Sequence, residues 1–338
     1  MPYLKTGKEI FEVCCAYEDN LGVTDFGVMD ENFLKFPQRA MELLECIEKA
    51  GRIFTFGIFS SAETITGLPS LDLLVRLGVT FVWMGVESKH EIFEKNKGVD
   101  FKHLVAELRK RGISVMTSAI LFLEEHTKES LGADVDFVTG LRADYVQFME
   151  LGPLPGTKLY SDYEAQGKLC AKEEMPYEER HGQNRIWFRH PAFTGEETSE
   201  YLRKAFQYEY HRNGASFFRA VQTAMMGYQY TVRSGDTRIR RRAEGFKRFL
   251  EEVRVFMVPA KVFAKNQATR GLLEALSRDY GNVFPKQAVK HIALSGLAVV
   301  FAMKEVVRIR LLGDVIQPPR KRFAYRFDAA IKGEKNAC

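Results

Sequence analysis

Five short apolar runs alternate with helix-periodic stretches through the first half of the chain, and this alternation restricts the fold more than any other feature. The runs are Val23–Met29, Arg52–Phe59, Thr80–Val86, Ile113–Phe122 and Asp144–Leu151. Between them, Pro37–Ala50, Ser70–Leu77, Phe101–Arg111 and Lys128–Gly140 read as helices; Ala40, Leu43, Leu44 and Ile47 form the inner stripe of the first. A helix over Lys8–Asn20 precedes the series and ends at Leu21-Gly22, glycine being common just past a helix end. The unit repeats about every 30 residues. Largely apolar strands separated by helices imply a parallel sheet covered by helices. Ligands of such sheets sit at the carboxyl ends of the strands, so the residues just after each strand are the candidates for function.

The pattern changes after Tyr160. Residues 161–191 are polar and turn-rich, apart from the aromatic run Ile186-Trp187-Phe188. Helical periodicity then continues over Thr198–Arg212, Ala215–Ser234, Ile239–Phe256, Gln267–Asp279 and Lys286–Leu311. The expected organisation is an α/β unit over 1–160, a linker with a short aromatic strand over 161–197, and a helical domain over 198–317. A basic, mobile tail is expected over 318–338, opened by Pro318-Pro319.

A chain of 338 residues that is 46% hydrophobic and 28% charged suits a soluble globular protein. Its net charge of +5 is mild and suits an anionic ligand or partner without demanding one. The longest apolar run, Ile292–Met303, is shorter than the roughly 20 residues that span a bilayer. Lys5, Lys8, Glu9 and Glu12 interrupt any signal-like start, and five cysteines without a repeating spacing do not form a disulfide framework. Cytoplasmic residence is the expectation.

Four segments at strand ends carry a resemblance. They are Met29-Asp30-Glu31-Asn32-Phe33, Met84-Gly85-Val86-Glu87-Ser88, Lys95-Asn96-Lys97-Gly98 and Pro153-Leu154-Pro155-Gly156-Thr157-Lys158-Leu159-Tyr160. In this order they resemble motifs of the radical S-adenosylmethionine superfamily, in the branch often joined to a cobalamin-binding domain. The resemblance covers the first half of the chain. It implies an incomplete parallel (β/α) barrel followed by an all-helical C-terminal domain. It also implies S-adenosylmethionine as cofactor and radical chemistry on an organic small-molecule substrate, with cobalamin-linked methyl transfer or rearrangement as candidate reactions. By the same resemblance, Asp30 and Asn32 lie near the methionine ammonium and Glu87 and Ser88 near the ribose hydroxyls. The strand at Ile120 and Leu121 offers backbone to the adenine.

The family's Cys-x-x-x-Cys-x-x-Cys loop, which holds its iron–sulfur cluster, is missing. Cys14-Cys15 does not replace it, since neighbours on a helix point about 100° apart; these thiols are expected to pack as small apolar groups. The expectation is that either the sequence is truncated or the gene is divided, with the cluster-bearing first strand, with or without a cobalamin domain, on an upstream polypeptide; this chain alone is expected not to form the radical. At Leu121–Thr127 the family often has Gly-Leu-Pro-Gly-Glu-Thr; here Phe122 and Glu125 replace the glycines, and His126 is a candidate metal ligand or base.

Other readings stand beside this one. The alternative is a non-catalytic descendant of that barrel that binds a nucleotide or a protein. The basic run Arg238-Ile239-Arg240-Arg241-Arg242, with Lys247 and Arg248, has the composition of a phosphate-binding surface. A solvated helix face balanced by Glu244, Glu251 and Glu252 is the simpler account, and nucleic acid is not expected as a partner. Trp187, Arg189 and His190 are candidate substrate contacts.

Overall fold

The first strand starts where a glycine stops the helix before it. In α1 (Gly7–Leu21) Thr6 and Glu9 form a reciprocal capping box, and Gly22 closes the helix at φ 66°. β1 (Asp25–Val28) follows. α2 (Pro37–Ala50) has proline in its first turn and Gly51 at φ 68° past its end, and β2 (Thr55–Phe59) comes next. The series continues with α3 (Ala62–Thr66), α4 (Asp72–Leu77), β3 (Val79–Gly85), α5 (Phe101–Lys110), β4 (Ser114–Leu121), α6 (Lys128–Gly140) and β5 (Tyr145–Glu150). The structure, a computed structural model, describes residues 3–87, 98–171, 173–284 and 289–313. Lys95–Lys97 and the tail 318–338 lie outside the described residues.

The five strands pair in parallel in the order β1-β2-β3-β4-β5. Crossovers between parallel strands are right-handed. A chain that always steps the same way therefore lays its helices on one face of the sheet. Phe56, Ile58, Val82, Met84, Val115, Ala119, Leu121 and Phe148 are buried on that face. They share a core with Leu43, Leu44 and Ile47 of α2, Leu104 and Leu108 of α5, and Leu131 and Val138 of α6. The opposite face carries Phe59, Phe81, Trp83, Met116, Ser118, Ile120, Tyr145, Gln147 and Met149, each only half-buried.

The second half contains α7 (Lys158–Ala165), α8 (Gly195–Asn213), α9 (Ser216–Val232), α10 (Thr237–Arg240), α11 (Ala243–Val253), α12 (Met257–Phe263), α13 (Gln267–Val283) and α14 (Val289–Leu312). Val221, Met225, Leu250, Leu273, Leu276 and Tyr280 form a separate core there. The single helix expected over Ile239–Phe256 is interrupted at Arg241-Arg242 and ends in a 3-10 turn, Arg254–Phe256. The cause is visible in the arginines. The half-buried Arg242 guanidinium donates to the carbonyls of Phe54 and Arg76, at 2.5 and 3.0 Å. Arg241 donates to Gly51 O at 2.9 Å, and Arg238 reaches Glu48 at 3.0 Å. Arg242 thus clamps the amino ends of β2 and β3, while Arg238, Arg240 and Arg241 keep exposed side chains as a solvated face does. Burial, with Arg241 beside it, lowers the Arg242 guanidinium to about 10. Gly78, at φ +98°, makes room for it, because a Cβ there would sit 2.7 Å from the guanidinium and 2.1 Å from Phe54 O.

A second junction joins α9 to the sheet through buried polar groups. The Asp144 carboxylate accepts from Thr223 Oγ1 at 2.6 Å, Val115 N–H at 2.8 Å and Arg109 Nε at 3.2 Å. Arg219 of α9 donates to Asp144 O at 3.2 Å and pairs with Glu209 of α8 at 2.6 Å. Where the linker strand was expected, Ile186-Trp187-Phe188 makes one antiparallel bridge, Leu169 to Phe188, and all three side chains are buried.

Candidate functional site

The carboxyl ends of the five strands form one edge of the sheet, next to its half-open face. Phe59 and Trp83 are register partners on that face and stack with ring centroids 4.9 Å apart. One row further along, Ser118 of β4 pairs in register with Gln147 of β5. Neither polar side chain makes a hydrogen bond among the described residues. Two polar groups within an apolar, aromatic surface are the usual make-up of a small-molecule site. Sequence reasoning named none of these four residues because it looked to the segments after the strands and, within a strand, only to Ile120 and Leu121. Their signal was the polar letters at alternate positions of otherwise apolar strands, which places both on one face.

After β1, the Asp30 carboxylate is held by the buried guanidinium of Arg39, which also donates to Leu4 O at 3.0 Å and lies 5.1 Å from the Phe33 ring centroid. Asn32 bridges to the loop after β2. Its amide donates to Ser61 Oγ at 3.0 Å, and its carbonyl accepts from Ser60 Oγ and Thr64 Oγ1, both at 3.0 Å. After β3, Glu87 is buried at φ +65°, with its N–H donating to Ser118 O at 3.2 Å. A non-glycine residue in this region costs on the order of 1 kcal/mol or more and is often found at functional sites. Ser88 lies outside the described residues.

Ile120 lies on the half-open face beside Met149, whereas Leu121 is buried on the helix-covered face. The Leu121 carbonyl already accepts from Leu151 N–H at 2.9 Å. Phe122 takes φ +62° without being glycine, and its ring enters the core against Phe193, centroids 5.2 Å apart. The Phe122 side chain therefore points away from the open face. His126 is buried, with Nδ1 accepting from Leu123 N–H at 3.1 Å and Nε2 facing Asp134 Oδ2 at 3.1 Å. Both ring nitrogens are thereby engaged in holding the loop.

At the end of β5, Glu150 is buried before the turn into Leu151-Gly152, and neither carboxyl oxygen reaches a partner with full hydrogen-bond geometry. Burial raises its carboxyl to about 7, with Thr198 and the Asn184 backbone pulling more weakly the other way. Gly152 admits the Trp187 ring, since a Cβ there would sit 2.6 Å from Cη2. Trp187 is accordingly a packing residue, and His190 donates from Nε2 to Leu123 O at 2.8 Å. Of the three candidate substrate contacts in this segment, Arg189 alone has an exposed side chain, 3.9 Å from Glu174. A pocket of about 390 Å³ lined by Lys110, Met226, Gln229, Tyr230, Arg233 and Ser234 opens elsewhere, near the amino end of β4.

With this geometry in view, the chain can be set beside known proteins. No family model matches it. Over 155 residues, 44% of its length, it is 28% identical to bacteriochlorophyllide d C-12(1)-methyltransferase of Chlorobaculum tepidum, of which it covers 34%. It is 25% identical over 163 residues to bacteriochlorophyllide d C-8(2)-methyltransferase of the same organism, covering 46% of this chain and 36% of that protein. An uncharacterized methyltransferase of Pyrococcus horikoshii is 26% identical over 190 residues, covering 55% of this chain and 40% of the relative. The chain thus spans 34 to 40% of the length of these curated relatives. Among solved structures it is similar to the radical S-adenosylmethionine methyltransferase TsrM from Kitasatospora setae, solved with tryptophan substrate and aza-SAM bound. That similarity has TM-score 0.44 and 17% identity, and covers 73% of this chain and 55% of that one.

Among the described thiols, Cys14, Cys15 and Cys170 are poor candidates for cluster ligands. Burial, with Cys15 adjacent, raises the Cys14 thiol to about 12, which disfavours the thiolate a cluster needs. Burial likewise raises Cys15 and Cys170. Among the described residues no three His, Cys, Asp or Glu side chains converge as a metal-binding set. The aromatic pair Phe59–Trp83, with Ser118 and Gln147, which make no side-chain hydrogen bond among the described residues, offers apolar surface and hydrogen-bonding groups on one face of the sheet.

Proposed function

We propose that this chain contributes part of an S-adenosylmethionine site that serves methyl transfer to an organic small molecule. The observation that carries the reading is the half-open sheet face, where Ser118 and Gln147 stand unbonded beside the Phe59–Trp83 stack. The likeness to methyltransferases over 155 to 190 residues supports it. Bound there, S-adenosylmethionine would supply an activated methyl group or, once reduced, a carbon radical. Glu87 would accept from ribose hydroxyls, Ser118 and Gln147 would hydrogen-bond the ligand's polar edge, and Phe59 and Trp83 would exclude water from it. In the finer form of this reading, the chain is part of a radical-type barrel. An upstream polypeptide supplies the cluster strand, with or without cobalamin.

Equilibrium dialysis of the chain with S-adenosylmethionine tests the site. Saturable binding is expected, weakened about tenfold or more by Glu87→Ala or Gln147→Ala, the usual effect of removing one hydrogen-bonding partner from a buried ligand. No saturable binding, or binding indifferent to both substitutions, overturns it.

A second reading draws on Asp30 and Asn32. Arg39 and the hydroxyls of Ser60, Ser61 and Thr64 already satisfy these two ligand positions from within. On this account the chain is a non-catalytic descendant, and the same dialysis returns no S-adenosylmethionine binding.

A further inference from the structure

We infer that α14 docks the protein onto an anionic lipid surface, lying along it rather than crossing it. The inference is independent of the chemistry proposed above. Helix α14 has 24 residues, hence a length of roughly 36 Å. Ten of its large apolar side chains are exposed, among them Leu297 at 65%, Val300 at 64%, Phe301 at 62% and Leu311 at 77%. The rest of the fold touches it along α12 and the 3-10 turn Arg254–Phe256, where the small residues Ser295, Ala298 and Ala302 are buried or half-buried. A helix apolar on all sides normally lies buried, and an exposed apolar patch of this extent marks an interaction surface.

Charge identifies the partner. Helix α14 carries Lys290, Lys304, Arg308 and Arg310 against the single acidic residue Glu305, a net of +3 in a chain whose total is +5. More than half of the chain's net positive charge therefore sits on the exposed apolar helix. Lys290 stands before the uncharged stretch 291–303, and Lys304, Arg308 and Arg310 follow it. Two copies meeting through this segment would bring like charges together, whereas an anionic headgroup layer attracts them. The thirteen residues of 291–303 rise only about 20 Å as a helix, short of the roughly 30 Å hydrocarbon core. Among the described residues no helix is long and apolar enough to cross a membrane. Apolar side chains at headgroup depth with flanking Lys and Arg describe an interfacial helix.

The test is co-sedimentation of the full chain with vesicles of phosphatidylcholine alone and of phosphatidylcholine mixed with phosphatidylserine. Binding is expected only to the mixed vesicles and should fall as salt is raised. Leu297→Glu/Phe301→Glu should weaken binding about tenfold or more. Lys304→Gln and Arg310→Gln should each weaken it about fivefold. All four side chains are exposed, so denaturation curves should stay as in the parent and separate lost docking from lost folding. Three results overturn the inference: equal binding to both vesicles, binding to neither, or a concentration-dependent dimer that Leu297→Glu/Phe301→Glu dissociates.

Discussion

His126 and His190 grip the two polar backbone atoms of one residue, Leu123. The Leu123 N–H donates to His126 Nδ1 at 3.1 Å, and its carbonyl accepts from His190 Nε2 at 2.8 Å. His126 passes its remaining nitrogen to Asp134 in α6, and His190 Nδ1 accepts from Ala192 N–H at 3.0 Å. The loop after β4 is thus pinned from two directions, once from α6 and once from the segment before α8. The His190 imidazole, accepting at Nδ1 and donating from Nε2, is protonated on Nε2 alone in this arrangement.

This clamp makes stability depend on pH through His190. Burial lowers its imidazole below the ordinary 6.5, with the nearby His126 adding to the effect and the bond to Leu123 opposing it. The unfolded chain therefore binds the proton more readily than the folded one. The stability contributed is complete above 6.5 and is lost as pH falls below it. His190→Ala should cost about 1–3 kcal/mol at pH near 8 and less near pH 5. Urea titrations of parent and variant at the two pH values check it; a pH-independent difference would contradict the neutral clamp.

Glu150 titrates with the opposite sign. Its folded carboxyl, raised to about 7 by burial, binds a proton that the unfolded carboxyl releases near 4.5. Its unfavourable contribution is absent below 4.5 and grows as pH rises to about 7. Glu150→Gln should leave stability nearly unchanged at pH 4 and raise it by about 3 kcal/mol at pH 8. Equal effects at both values would show that the carboxylate is better solvated than its burial implies.

Arg219 and Glu209 are coupled. Burial lowers the guanidinium and raises the carboxyl, and their mutual attraction opposes both shifts. Removing one partner strands the other without compensation, so Arg219→Leu should cost roughly 3–5 kcal/mol. Arg219→Leu with Glu209→Leu should cost markedly less. The four denaturant midpoints of a double-mutant cycle measure the difference.

Asp30→Asn separates the structural role of this carboxylate from a ligand role. Arg39 is buried and loses its counter-ion, so stability should fall by about 1–3 kcal/mol. Affinity for S-adenosylmethionine, measured by the same dialysis, should change less than in Glu87→Ala. A larger change in Asp30→Asn would assign that carboxylate to the ligand instead.

The helices Pro37–Ala50 and Lys128–Gly140 were legible to the residue, because Pro37, Gly51 and Thr127 mark their ends in the local sequence. Strands were legible as apolar runs, but their ends ran long by up to three residues, as at Arg52 before Thr55, where the sheet pairing begins. The roles of Asp30, Asn32 and the arginine run were not legible. Arg39 lies nine residues from Asp30, Ser61 lies 29 from Asn32, and Phe54 lies 188 from Arg242. No local pattern encodes partners at such separations.

Periodicity, turn residues and the apolar runs by themselves determined that this chain makes parallel strands with helices between them. These are short-range preferences of backbone and side chain, and they act within a few residues. Folding in three dimensions alone decided which face of the sheet stays half-open, that Ser118 and Gln147 meet there, that Leu123 is clamped by two histidines, and that α14 keeps its apolar sides outward. Each of these depends on packing between elements distant in sequence, where burial and unsatisfied polar groups set the energy.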